Sequence, residues 1–133
     1  MAEPSALQRW HHVATTQDAS LLDDLLAEDV VFRSPAVFAP QPGKALTTGY
    51  LTAALAVLGP TLRYVDEWSD DGSAVLEFEA EVGGRLVHGV DMLRWNDAGK
   101  LTSFTVMVRP FSALQQLMTA MVAELDRLGA HHP

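Results

Sequence analysis

The apolar residues of this 133-residue chain change their dominant period at Gly59-Pro60. Before it they mostly recur every three to four positions, as in helices; after it they mostly alternate, as in strands. A chain that places its helices first and a run of strands second belongs to the α+β class. No repeat, low-complexity tract or linker interrupts this order, and the length is that of one ordinary domain, so residues 1–133 are expected to share a single core.

In the first half, SALQRWHHVAT at 5–15 sets Leu7, Trp10, His11 and Ala14 at helical spacing behind Ser5, a good helix cap. A second helix, capped by Asp18 or Ser20, has Leu21, Leu22, Leu25 and Leu26 as its buried stripe and is expected to end near Ala27. The β-branched and aromatic VVFRSP at 30–35 reads as a short strand. An irregular loop, VFAPQPG, follows it and is of the kind that often rims a pocket. Lys44 to Leu58 form a third helix, which Gly59-Pro60 stops.

In the second half, strands are expected at 61–68, 73–82, 85–95 and 100–109, divided by DDG, GG and NDAG turns. The closing FSALQQLMTAMVAEL again has helical spacing, in Leu114, Leu117, Met118, Met121 and Leu125, and docks either on the sheet or on a second subunit.

The turn at Gly83-Gly84 sets a register. If those two residues are the whole loop, Val82 faces Arg85, and counting outward pairs Ala80 with Val87, Phe78 with Gly89 and Leu76 with Asp91. One face then carries Leu76, Phe78, Ala80, Val87, Leu93 and Trp95 together with Asp91. The other carries Glu77, Glu79, Glu81, Leu86, His88 and Arg94. Asp91 is the lone carboxyl on an apolar surface, where desolvation disfavours its charge and keeps it neutral near pH 7, able to donate a hydrogen bond. Such a group is either tied to a buried hydroxyl, indole or arginine for structure, or kept for a ligand.

Composition removes several chemistries. Without cysteine there is no disulfide scaffold, thiolate metal site or cysteine nucleophile, and the chain suits a reducing cytoplasm. A formal net charge of −8 with no basic cluster argues against nucleic acid, and no segment approaches the length of a membrane span. Metal-ligand spacings and phosphate-binding glycine loops are both missing, so neither a metal nor a cofactor is expected.

The succession LLAEDVVFRSP, GKALTTGYLTAAL and GVDMLRWNDAGKLTSFTVMVRP resembles the SnoaL-like polyketide cyclases of the nuclear transport factor 2-like superfamily, over nearly the whole chain. The resemblance implies a cone-shaped, cystatin-like fold: about three N-terminal helices on a strongly curved antiparallel sheet, plus a C-terminal helix. Within that superfamily the fold serves cyclisation, isomerisation, epoxide hydrolysis, dehydration or plain binding, so function has to be read from the site.

DMLRWNDAGK is similar to the ketosteroid isomerase segment that carries a hydrogen-bond-donating aspartic acid, and Asp91 falls on that residue. The same resemblance puts Trp10 where the isomerase has a tyrosine donor and Ser34 where it has a proton-shuttling aspartate. FTVMV at 104–108 lacks the acidic and basic side chains of limonene epoxide hydrolase.

His11, one helical turn from Leu7, is the candidate base, whereas His12 turns outward. His88 sits among the glutamates opposite Glu79, and His131 and His132 close a tail expected to be disordered. Arg109 and Arg33 can meet a ligand carboxylate or pair with Asp91 itself. Trp10, Ser34, Tyr50, Tyr64, Phe78, Trp95 and Met107 are candidates for a pocket wall, with Trp68 and Phe104 beside them. Two readings of the pocket follow, beside a third in which the domain serves only structurally, by dimerising through its charged or C-terminal surfaces. One is an enzyme of isomerase or cyclase type acting on an apolar carbonyl- or phenol-bearing molecule, with Asp91 as acid or hydrogen-bond donor. The other is a non-catalytic module that binds or senses a hydrophobic metabolite. A homodimer is expected in either case.

Overall fold

Gly83 and Gly84 both adopt positive φ, 55° and 80°. That backbone belongs to a mirror-image two-residue turn, which glycine enters without steric cost. In the computed structural model, which describes residues 5–129, the turn joins β4 (Ser73–Val82) to β5 (Arg85–Trp95) in the counted register, with Phe78 opposite Gly89 and Leu76 opposite Asp91. His131 and His132 lie outside the described residues.

The helical half contains α1 (Ala6–Thr16), a 3-10 turn (Ala19–Leu21), α2 (Leu22–Leu25) and α3 (Lys44–Leu58). Ser5 closes a reciprocal cap on α1: its Oγ accepts from Gln8 N at 3.1 Å and its own N–H donates to Gln8 Oε1 at 2.8 Å. The strands are β1 (Leu26–Arg33), a two-residue β2 (Gln41–Pro42), β3 (Arg63–Ser69), β4, β5 and β6 (Leu101–Arg109), and α4 (Phe111–Leu128) follows.

The largest boundary differences from the sequence reading lie where the second helix meets the first strand. The second helix stops at Leu25, and β1 starts at Leu26 rather than at Val30. In LLDDLLAEDVV the buried residues Leu22, Leu25, Leu26 and Val30 suit a helix and a strand equally, and the pairing of Leu26 with Leu101 of β6 decides for the strand. β2, inside the proline-rich loop, was not expected at all; it pairs with Val31 and Phe32.

The six strands run in the order β2-β1-β6-β5-β4-β3 and form a curved, open sheet. Every pairing is antiparallel except β1 with β6. β1 comes from the helical half, so no hairpin ties its direction to its neighbour's, and the sheet is mixed within the expected α+β cone.

Alternation places the core. Leu76, Phe78 and Ala80 of β4 are buried with Val87 and Leu93 of β5, while Glu79 and Glu81 face outward. Each large buried side chain of this set contributes about 1.5–3 kcal/mol. Gly89 makes the face possible: a Cβ there would lie 2.7 Å from the Phe78 ring and 2.3 Å from the Met107 carbonyl oxygen. α4 packs on α3 and on β5 and β6 of its own chain, burying Ala113, Leu117 and Met121, which settles its docking in favour of the sheet. No helix among the described residues is long and apolar enough to cross a membrane.

Candidate functional site

Between the sheet and helices α1, α3 and α4 lies a cavity of about 310 Å³. Phe78 and Val106 line it from the strands, Leu51 and Leu55 from α3, and Leu117 and Met121 from α4. Ser34, Pro35, Ala36 and Val37, which follow β1, form part of its wall, so the loop after FRSP does rim a pocket. The Ser34 hydroxyl oxygen accepts from Ala36 N at 3.0 Å, which leaves its hydrogen free to donate.

Asp91 reaches this space because β5 runs between β4 and β6: its neighbours across the ladder are Leu76 and Val106, both buried. Its residual exposure is 7 %. Tyr64, from β3, donates its hydroxyl hydrogen to Asp91 Oδ2 at 2.5 Å and accepts the indole N–H of Trp10 at 2.9 Å. Trp10 is in turn held edge-on against Phe104, with ring centroids 4.7 Å apart. The result is a short chain from α1 through β3 to the carboxyl.

Asp91 Oδ1 has no hydrogen-bond partner among the described residues, yet it is not sealed in protein; it is the oxygen open to the cavity. Burial pushes the Asp91 carboxyl up to about 7, and the Tyr64 hydrogen bond opposes that rise without cancelling it. Burial and the neighbouring Asp91 raise the Tyr64 hydroxyl well above its ordinary value, so it stays a donor. When Asp91 is protonated, Oδ2 is the accepting oxygen and the proton is held on Oδ1, toward the cavity.

Among the described residues no cation balances the acid. Arg33 donates to Ser103 Oγ at 3.0 Å and Arg109 to His88 Nδ1 at 3.2 Å, both away from Asp91. The residues that line the cavity include no lysine, arginine or histidine, and no cluster of metal-ligating side chains occurs among the described residues.

Of the residues singled out in the sequence as site or wall candidates, Asp91, Trp10, Ser34, Tyr50, Tyr64, Phe78 and Phe104 meet at this cavity. His11 does not line it: its Nε2 lies 2.6 Å from Glu67 Oε1 at the surface, and its ring stands edge-on to Tyr64. Met107 is 53 % exposed because it lies three residues from Phe104 and strand alternation turns the two to opposite faces. Arg109 lies on that outer face with Met107, and Trp68 is also exposed. Trp95 is on the inner face but at the far end of β5, where its indole donates to the Asp71 carbonyl at 3.2 Å. His88 lies opposite Glu79 in the ladder but bonds diagonally to Glu77 Oε2 at 2.6 Å.

Sequence reasoning missed the α4 wall, Leu117, Met118 and Met121, although the helical spacing of those residues was the available signal. It also missed the pairing of Tyr64 with Asp91, which depends on β3 and β5 being held on either side of β4.

A family model described as a SnoaL-like domain matches residues 7–104. Among solved structures, the chain is similar to a steroid delta-isomerase from Pseudomonas aeruginosa, with 38 % identity, a TM-score of 0.88, and 95 % of this chain and 93 % of that one covered. It is also similar to an uncharacterised protein with a cystatin-like fold from Silicibacter pomeroyi, with 30 % identity, a TM-score of 0.82, and 89 % and 83 % covered. A protein from Kribbella flavida shares the fold at 17 % identity and a TM-score of 0.71, covering 89 % of this chain and 94 % of that one. No curated protein sequence matches the chain.

Proposed function

The chain belongs to the SnoaL-like domain family, and on that premise we propose that it holds a flat, apolar molecule bearing a carbonyl or phenol oxygen and polarises that oxygen with Asp91. The observation that carries this reading is the unpartnered Oδ1 of a buried carboxyl at the cavity wall, with Tyr64 fixed on Oδ2. A protonated Oδ1 donates to the ligand oxygen. It then stabilises the charge that develops there as the ligand enolises, in surroundings dry enough for one hydrogen bond to matter. The similarity to a steroid delta-isomerase supports isomerase-type chemistry.

Moving a proton on carbon also needs a base. His11 is directed at Glu67, and the cavity wall offers no carboxylate besides Asp91. This favours a second reading, a module that binds the same class of molecule without converting it. Incubating the protein with β-tetralone in deuterium oxide separates the two. Deuterium entering beside the carbonyl faster than in buffer, and more slowly with Asp91→Asn, supports the enzyme. Binding with labelling no faster than in buffer supports the module, and no binding of tetralones or phenols rejects both.

We also propose a homodimer formed through the outer sheet face. There Leu86 and Met107 are exposed beside the acidic Glu77, Glu79 and Glu81 and the basic Arg63, Arg94 and Arg109. A two-fold axis brings such mixed charges together as complements. The absence of cysteine fits work in the cytoplasm.

A further inference from the structure

We propose that the cavity also accepts a protonated lipophilic amine, whose ammonium N–H donates to Asp91 Oδ1 while the surrounding rings enclose its body. The proposal rests on the cavity being a ligand site and goes beyond a neutral oxygen compound. Its basis is an asymmetry of charge: among the described residues, Asp91 is the only carboxyl in the wall and no side chain in the wall is cationic. A buried carboxylate without a cation is unfavourable, so a bound ammonium supplies what the protein withholds.

The walls suit that cation. Trp10, Phe32, Tyr50, Tyr64, Phe78 and Phe104 all line the cavity, and aromatic rings attract an ammonium through their electron-rich faces, most strongly where water is excluded. Tyr64 already donates to Oδ2, so the ionised carboxyl keeps one protein hydrogen bond and gains the ligand's as its second. The overall charge of −8 draws cations toward the protein and holds carboxylate ligands off.

Proton bookkeeping distinguishes the two ligand classes. Asp91 is faced by Tyr64 of β3, by Leu76 and Phe78 of β4, by Val106 of β6, by Trp10 of α1 and by the apolar residues of α3 and α4. Tyr50 and Tyr64 are the only other titratable side chains in the wall. Below neutrality an incoming ammonium therefore displaces the proton from Asp91 to the buffer and keeps its own. A ketone requires that proton to stay.

The test is calorimetric titration of the wild-type protein with β-aminotetralin and with β-tetralone, of matched shape, in buffers of different ionisation enthalpy. The amine is expected to release about one proton per complex near pH 6 and almost none near pH 8.5, with affinity rising about tenfold per pH unit below neutrality and then levelling. The ketone releases none. Asp91→Asn, which keeps a donor toward the cavity, is expected to bind the ketone and to lose at least about tenfold in amine affinity. Binding of the ketone but not the amine, or amine binding with no proton release near pH 6, overturns the proposal and leaves the oxygen-ligand reading intact. Failure of both probes removes the shared premise. If Asp91→Asn does not fold, the proton count on the wild type decides alone.

Discussion

Tyr64 donates to Asp91 Oδ2 at 2.5 Å, and this is the only hydrogen bond to that carboxyl among the described residues. One side chain therefore sets which oxygen of the acid faces the cavity. Tyr64→Phe removes that control and also leaves the Trp10 indole N–H without its acceptor. A buried donor stripped of its partner costs about 1–3 kcal/mol, so urea unfolding should show the variant less stable by that free energy. Because the Tyr64 bond lowers the Asp91 pKa, its loss should raise the midpoint of the Asp91 carboxyl titration, followed by isotope-edited infrared or carbon NMR. An unchanged midpoint would mean that the hydroxyl does not bond the carboxyl in solution.

The pH dependence of stability follows from the same carboxyl. Its folded pKa is raised from 3.8 to about 7, so across that interval the folded state holds a proton that the unfolded state has released. The contribution of Asp91 to stability is thus fully present below the unfolded value, falls by about 1.4 kcal/mol per pH unit as pH rises between the two, and is flat above the folded value, a total of about 4 kcal/mol. Asp91→Asn abolishes this term. Chemical denaturation of both proteins across this range should show the wild type losing ground steadily against the variant until neutrality. A constant difference would place the carboxyl in water or beside a cation.

The sequence shows the two halves of the fold because periodicity is a local property, and it yields the β4–β5 register because Gly83-Gly84 allows only one short turn. Parity then puts Asp91 on the inner face. The parallel pairing of β1 with β6 is not local: it brings Leu26 to Leu101 and Phe32 to Phe104 across most of the chain, and no residue between them announces it. The same limit hid the site. Trp10, Tyr64 and Asp91 each looked like a pocket or core residue, but their order as donor, relay and acceptor needs three elements in place. His11 misleads for a related reason, since a helical stripe tells which side of α1 faces inward but not that Glu67 waits at its edge.

Gly89 tests the packing behind the cavity. Gly89→Ala should destabilise the protein by about 1–3 kcal/mol, because the methyl group meets the Phe78 ring and a strand carbonyl that cannot withdraw. Phe78 would then be pushed into the cavity, so ligand affinity should fall with stability. Urea unfolding and a binding titration on the same preparation would check both, and a variant as stable as the wild type would contradict the close approach of β4 and β5 at this point.

The outer face offers a test of assembly. Leu86 is 78 % and Met107 53 % exposed, and a lysine at either position adds a charge where a two-fold partner would press apolar surface. Leu86→Lys and Met107→Lys should each shift a dimer toward monomer in sedimentation velocity, by about tenfold or more in dissociation constant, with the monomer's fold retained by circular dichroism. If both variants sediment as the wild type does, the outer face is not where copies meet.

Ala54 of α3 lines the cavity opposite the sheet, which makes it the place to ask whether the cavity is kept open for a ligand. Empty apolar space lowers stability by roughly 24 cal/mol per Å³, so filling part of it with the larger side chain of Ala54→Leu should raise stability by about 1 kcal/mol while excluding ligands. The expected result is a higher melting temperature in the apo protein together with lost binding of β-tetralone. That combination distinguishes a functional opening from a packing defect: in a defect, stability would rise with nothing lost, and in a cavity already closed by motion of α3 or α4, the added carbons would lower the melting temperature through strain.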